Sequence, residues 1–150
     1  MEDDKMLVLC IGNKEGGDDG IGLFIAKQWK NNSSDFFLID GETASENYTG
    51  IIKRRKPQTL ILIDAAEMNF PAGEIRIIPK EKFSSMHLST HGVSPSAFIQ
   101  YMEKEVRTII FIGIQPETMQ RPLSDPVKIS GHHLMMLLQQ KKIDTIPLLQ

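Results

Sequence analysis

The chain of 150 residues has an ordinary globular composition, with 41% hydrophobic and 24% charged residues. Its formal net charge of -2 favours neither nucleic acid nor an anionic membrane surface as a partner. A single cysteine excludes an intramolecular disulfide, and we expect one domain over residues 1–150 with peripheral tails at 1–5 and 142–150. The acidic N-terminus is followed by only a short apolar run, which fits neither a signal peptide nor a membrane span, so we expect a cytoplasmic protein.

Four short apolar runs are predicted to be strands, at 6–11, 36–40, 59–64 and 108–114. Isoleucine, leucine and phenylalanine occupy both alternating positions in them, which is typical of a parallel sheet that is buried on both faces. The run at 74–79 differs, because charged residues alternate with isoleucine and a proline ends it. This pattern predicts an edge strand and favours antiparallel pairing.

Apolar residues recur at helical spacing between the strands. They predict helices around Ile21 to Trp29, Tyr48 to Ile52 and Phe98 to Val106, and a last helix from about Asp125 to Gln140. Ser45 is expected to cap the second helix, and Pro95 suits the first position of the third. Strands that alternate with helices in this way predict a three-layer α/β/α sandwich.

Acidic side chains and one histidine follow the predicted strands. Asp19 lies in GNKEGGDDG after the first strand, Asp64 ends the third strand, and His91 lies in STHGVSP before the third helix. Ligands of an open α/β sheet bind outside the carboxyl ends of its strands, so parallel strands would bring these three residues to one crevice. Two carboxylates and an imidazole are a plausible ligand set for nickel, zinc, copper or iron.

The glycine-rich loop after the first strand is predicted to favour a cation. The spacing of Gly12 and Gly17 resembles a phosphate-binding loop, but Asp18 stands where that motif needs lysine, and Asp19 would repel an anion. We expect Asp18 to cap the following helix. Asp64 is harder to explain structurally, because an acid that ends an apolar strand more often marks a site.

Other reactive residues give weaker signals. Cys10 lies inside an apolar strand and is expected to pack in the core, and His87 lies in a polar stretch. His132 and His133 are neighbours on a helix, so they point in different directions and do not share a metal. No GxSxG or HExxH motif is present, so covalent catalysis has little support.

Four motifs in one order carry a family resemblance. They are GNKEGGDDGIG, LIDAAEMNFPAGEIRII, STHGVSP and FIGIQPE. Together, from about residue 6 to 140, they resemble the endopeptidases that mature nickel-iron hydrogenases, most closely the hydrogenase 3 type. The resemblance implies a twisted, mostly parallel five-stranded sheet between helices. It also implies that the protein removes a C-terminal extension from a hydrogenase large-subunit precursor once nickel has been inserted.

The resemblance assigns roles to individual residues. It implies that Asp19, Asp64 and His91 contact the nickel carried by the precursor, a position that other divalent ions can occupy. Asp19 and Asp64 would also be catalytic. Water attack would then use either a carboxylate as general base or polarisation of the carbonyl by the metal, and the sequence leaves both open.

Substrate contacts are expected from Gly12, Asn13 and Gln115 in the same motifs. Two other functions are compatible with the residues. A receiver-like signalling module would hold magnesium with an acid pair and an aspartate after its first and third strands. A nickel or precursor chaperone would use the same residues and cut nothing, so only turnover distinguishes it from the protease.

Overall fold

The computed structural model describes residues 5–12, 14–30, 32–33, 35–41, 48–85, 100–118, 120 and 122–150. Its five strands are Met6–Cys10 (β1), Phe36–Asp40 (β2), Thr59–Ala65 (β3), Ile75–Ile78 (β4) and Thr108–Ile114 (β5). They form one sheet in the order β2-β1-β3-β5-β4. The predicted strands are therefore confirmed to within a residue or two at their ends.

The sheet is parallel except at one edge. β1 pairs in parallel with β2 and β3, and β3 pairs in parallel with β5. β4 pairs antiparallel with β5, with Arg76 opposite Gly113. The prediction of a mostly parallel, five-stranded sheet with one antiparallel strand is confirmed.

Helices cover both faces of the sheet. Their bounds are Ile21–Gln28 (α1), Tyr48–Arg55 (α2) and Asp125–Gln139 (α3). In β3, Ile61 and Ile63 face a core shared with α1 and α3, whereas Leu60 and Leu62 face a second core that contains Ile52 of α2. Side chains of a strand alternate between faces, so an apolar residue at every position requires a cover on each side. The three-layer prediction is confirmed.

The C-terminal segment packs against the edge of the sheet. The Ile77 N–H donates to the carbonyl of Pro147 (2.9 Å), and the Leu149 N–H donates to the carbonyl of Ile77 (2.8 Å). Ile146 and Leu149 are buried. An unpaired edge strand leaves backbone groups exposed, and this segment covers them. The segment 142–150, which was predicted to be a peripheral tail, therefore contributes Ile146 and Leu149 to the core.

Two helix ends differ from the prediction. α1 ends at Gln28, and Trp29 follows in an extended conformation but remains buried and stacks on Phe36. The predicted helix that reaches Val106 is helical over 100–102 and then turns, with the Val106 N–H bonded to the Met102 carbonyl. The predicted caps at Ser45 and Pro95 lie outside the described residues. No described helix combines the length and apolar character that a membrane span needs.

Candidate active site

The strand order places the topological switch point of the sheet between the carboxyl ends of β1 and β3, and we call this region the crevice. From β1 the chain passes to β2 on one side and then to β3 on the other side. The connections therefore leave the sheet in opposite directions at this point, which is where open α/β sheets bind ligands. Asp19 lies in the loop that follows β1, Asp64 is the last residue but one of β3, and Gln115 follows β5 on the next strand.

The loop after β1 is a compact turn of backbone. Residues Lys14–Gly20 form 3-10 turns that are interrupted by a kink at Gly16 and Gly17, and they contact both α1 and β3. Gly12 has a φ of +155°, and a Cβ atom there would lie 2.3 Å from the carbonyl oxygen of Asp19. Gly17 has a φ of +63°, and its Cβ would lie 2.5 Å from the carbonyl oxygen of Gln120. Glycine is required at these two positions because another part of the backbone occupies the space of a side chain.

Replacing Gly12 by alanine is expected to destabilise the protein by about 2 kcal/mol or more, because the methyl group would displace the Asp19 backbone. Urea denaturation at neutral pH measures the effect. Gly50→Ala is the matched control, since a Cβ in α2 meets only Arg54 Nη1 at 3.4 Å. The control should gain about 1 kcal/mol, because alanine is the better helix former. Equal stability of Gly12→Ala and the wild type would contradict the close approach.

Asp18 does not cap α1, contrary to the prediction. The helix begins after Gly20, and its N-cap has no side-chain hydrogen bond. The buried Asp18 carboxylate instead accepts the N–H groups of Glu117 (2.7 Å), Thr118 (3.0 Å) and Ser124 (2.7 Å). It also accepts the Ser124 hydroxyl at 2.7 Å. Asp18 therefore joins the loop after β1 to the segment between β5 and α3.

These hydrogen bonds stabilise the ionised form of Asp18. Burial by itself favours the neutral acid, but the backbone N–H groups of Ser124, Thr118 and Glu117 and then the Ser124 hydroxyl outweigh it. The pKa of the Asp18 carboxyl is consequently lower than its ordinary value. At neutral pH Asp18 is a charged structural anchor directly beside Asp19.

Asp64 is buried at the end of β3, with 0% of its surface exposed. Its Oδ1 accepts the N–H of Ala65 at 2.8 Å, which fixes the orientation of the carboxylate. Burial raises the pKa of the neighbouring Cys10 thiol, and the charges of Asp40 and Asp64 raise it further. Cys10 is therefore a core residue, as predicted, and its raised pKa keeps the thiol protonated at neutral pH.

Not all predicted site residues fall in the described part of the chain. Asp19 is half-buried in the loop after β1. Gly12 lies near the start of the same loop, and Asp64 and Gln115 lie at the ends of adjacent strands. His91 and Asn13 lie outside the described residues. No three histidine, cysteine or acidic side chains within the described ranges form a group that could hold a metal ion. The metal-binding and catalytic roles of these residues stay predictions.

Gln115 organises the loop that follows β3. The side chain is only 3% exposed, and its Oε1 accepts the N–H groups of Met68 (2.7 Å) and Phe70 (3.3 Å). Its Nε2 donates to Oε2 of Glu67 at 2.7 Å, and the Asn69 N–H donates to the same oxygen at 3.0 Å. Sequence reasoning did not select Glu67, although an acid three residues after Asp64 was visible in LIDAAE. A direct contact between Gln115 and substrate stays a prediction.

Sequence comparison with known proteins finds relatives that belong to one family. A family model described as hydrogenase maturation protease matches residues 25–141, a range that includes Asp64 and His91 and begins after Asp19. The hydrogenase 3 maturation protease of Escherichia coli strain K12 is 32% identical over 126 residues, which cover 81% of each chain.

Solved structures of two such proteins superpose on nearly the full length of this chain. A crystal structure of a hydrogenase 3 maturation protease superposes with a TM-score of 0.84 at 27% identity, and the match covers 100% of this chain and 99% of the other. The solution structure of the endopeptidase HycI from Escherichia coli gives a TM-score of 0.82 at 28% identity, over 97% of each chain.

Proposed function

This chain belongs to the hydrogenase maturation protease family, and we propose that it removes the C-terminal extension of a nickel-iron hydrogenase large-subunit precursor after nickel insertion. The observation that carries the proposal is a buried, oriented carboxylate at the crevice between β1 and β3. Asp64 supplies it, and the loop with Asp19 contacts the same strand. Family membership argues against the receiver-like signalling function, because the relatives that match this chain are named as maturation proteases or endopeptidases.

In this proposal the nickel is part of the substrate. Asp19, Asp64 and His91 provide oxygen and imidazole donors, a set that suits a divalent transition metal. Contact with the nickel would hold the precursor so that the scissile peptide bond lies in the crevice, which converts recognition into positioning. A precursor without nickel would lack this anchor. Cleavage would then follow metal insertion and not precede it.

The protein groups have defined tasks in the hydrolysis. The Ala65 N–H restrains the Asp64 carboxylate, so less rotational freedom is lost when the precursor binds. One of the two carboxylates would accept a proton from the attacking water, or would instead help to place the carbonyl next to the metal. Asp18 keeps the adjacent Asp19 in place through its hydrogen bonds to 117, 118 and 124.

Incubation with matched precursors tests the proposal. The purified protein is mixed with nickel-loaded and with nickel-free large-subunit precursor from one source, and the precursor mass is followed. We expect the loaded form alone to lose a C-terminal peptide, because only it carries the metal that the crevice recognises. Binding of the loaded precursor without a mass change would identify a chaperone. Equal cleavage of both forms would contradict the role of nickel.

Asp19→Asn tests the second carboxylate in the same assay. The substitution leaves the size of the side chain nearly unchanged and removes one negative charge from the crevice. We expect cleavage of the loaded precursor to slow by about a hundredfold, because the weakened metal contact misplaces the peptide bond. Full cleavage by this variant would exclude Asp19 from the site.

A further inference from the structure

Glu67 lies near the carboxyl ends of the parallel strands, on the same side of the molecule as the candidate active site. It follows Asp64 by three residues, so the two Cα atoms are at most about 11 Å apart. The Ala66 N–H between them donates to the Ile114 carbonyl at 3.0 Å, which keeps this segment next to the end of β5. The Glu67 side chain is exposed, in contrast to buried Asp64. Glu67 is therefore accessible to a large substrate that occupies the crevice.

The Glu67 carboxylate is held in one orientation. Its Oε2 accepts hydrogen bonds from Gln115 Nε2 (2.7 Å) and from the Asn69 N–H (3.0 Å). Its Oε1 has no hydrogen bond with any residue that the structure describes. An exposed glutamate normally loses side-chain entropy when it adopts one geometry, and here a buried glutamine enforces that geometry. The arrangement presents one carboxylate oxygen to an incoming group at little further entropic cost.

The charge around Glu67 favours a cation as that group. Two further acidic residues of the described sheet lie at the carboxyl ends of the parallel strands. They are Asp40 at the end of β2 and Asp64 near the end of β3. Arg76, directly across β5 from the end of β3, is already paired with Glu74 at 2.8 Å. Its guanidinium also lies 4.3 Å from the centre of the Phe70 ring. Complementary charge on a partner would therefore be basic.

We propose that Glu67 binds a lysine or arginine side chain of the substrate chain near the scissile bond, and that Gln115 positions Glu67 for this contact. The inference rests on the proposed proteolytic function and deepens it, because it adds a specificity residue outside the predicted metal-binding set. Gln115 would therefore contribute to substrate binding indirectly, because it orients the Glu67 carboxylate. The carboxylate contributes to affinity for the precursor and takes no part in the bond cleavage.

Glu67→Gln tests the charge with little change of shape. The amide oxygen can still accept both hydrogen bonds that Oε2 accepts now, so the loop after β3 keeps its structure. We expect KM for the nickel-loaded precursor to rise about tenfold, the effect of losing one hydrogen bond between charged groups, with kcat within about twofold. Glu117→Gln is the matched control, an exposed glutamate at the same edge, and its KM should equal that of the wild type.

Variants of the precursor identify the partner side chain. Each lysine or arginine within about ten residues of the cleaved bond is changed to glutamine, and KM is measured with wild-type protein and with Glu67→Gln. One of these changes should raise KM about tenfold for the wild type and leave KM for Glu67→Gln nearly unchanged, because the pair is already broken. Additive effects at every basic position, or an unchanged KM for Glu67→Gln, would overturn the inference. If the proposed function itself fails, wild-type protein will not cleave the precursor at all.

Gln115→Glu separates positioning from folding. The new carboxylate can still accept the N–H groups of Met68 and Phe70, but it repels Glu67 and should raise KM as Glu67→Gln does. Combining Gln115→Glu with Glu67→Gln restores the hydrogen bond between the two side chains with its direction reversed, although the Asn69 N–H then loses its acceptor. The combined protein should regain part of the thermal stability that Gln115→Glu loses, but its KM should stay raised. Recovery of the wild-type KM would show that the pair is structural and would contradict substrate binding.

Discussion

Asp64→Asn is expected to lower kcat/KM for cleavage of the nickel-loaded precursor by about a thousandfold. The asparagine side chain has nearly the same shape, and its oxygen can still accept the Ala65 N–H. The substitution therefore removes a negative charge and a proton acceptor and leaves the end of β3 in place. Loss of either property would impair metal contact or water activation, whichever mechanism applies. Precursor mass as a function of time gives the rate.

A matched variant distinguishes this effect from a general effect of charge. Asp35 is exposed and precedes β2 at the opposite end of the sheet, so Asp35→Asn removes the same charge far from the crevice. Its cleavage rate should stay within about twofold of the wild type. Wild-type rates for Asp64→Asn, measured on protein with an unchanged unfolding curve, would exclude Asp64 from the chemistry and remove the main support of the proposed site.

Asp18→Asn is expected to lower the free energy of unfolding by about 3 kcal/mol at neutral pH. The carboxylate accepts four hydrogen bonds, three of them from backbone N–H groups. An amide would direct its NH₂ group at one or more of these donors and leave at least one partly buried N–H group without its acceptor. Urea denaturation monitored by circular dichroism measures the loss. Ser124→Ala removes only the hydroxyl donor and should cost about 1 kcal/mol.

The effect of Asp18 should depend on pH in a defined direction. Its pKa in the folded protein is lower than the ordinary carboxyl value, because the hydrogen bonds outweigh burial in favouring the charged form. Folding therefore gains stability from Asp18 above the ordinary carboxyl pKa of about 4, and this gain is lost as the pH falls through the lowered folded pKa. The difference between wild type and Asp18→Asn should shrink when unfolding is repeated at successively lower pH below 4. A difference that stays constant or grows on acidification would contradict the anchor role.

Local patterns in the sequence predicted the strands and the position of Asp64. β3 has apolar residues at consecutive positions because both faces are covered, and the alternation of charge and isoleucine in the run at 74–79 predicted the antiparallel edge strand. Such patterns depend on the periodicity of strands and helices, so a short window of sequence contains them. The four motifs similarly indicated the family that the comparisons show.

Contacts between distant residues could not be predicted in this way. The sequence predicted that Asp18 caps α1, because that helix begins only three residues later. Its actual partner, Ser124, lies 106 positions away. Glu67 and Gln115 are 48 positions apart, and their pairing depends on β5 lying next to β3. The burial of Ile146 and Leu149 likewise depends on the exposed edge of β4. The sequence alone determined which segments form the sheet and which acids end its strands, because periodicity is local. Only the tertiary structure decided which polar groups pair, since hydrogen bonds require proximity that distant segments acquire on folding.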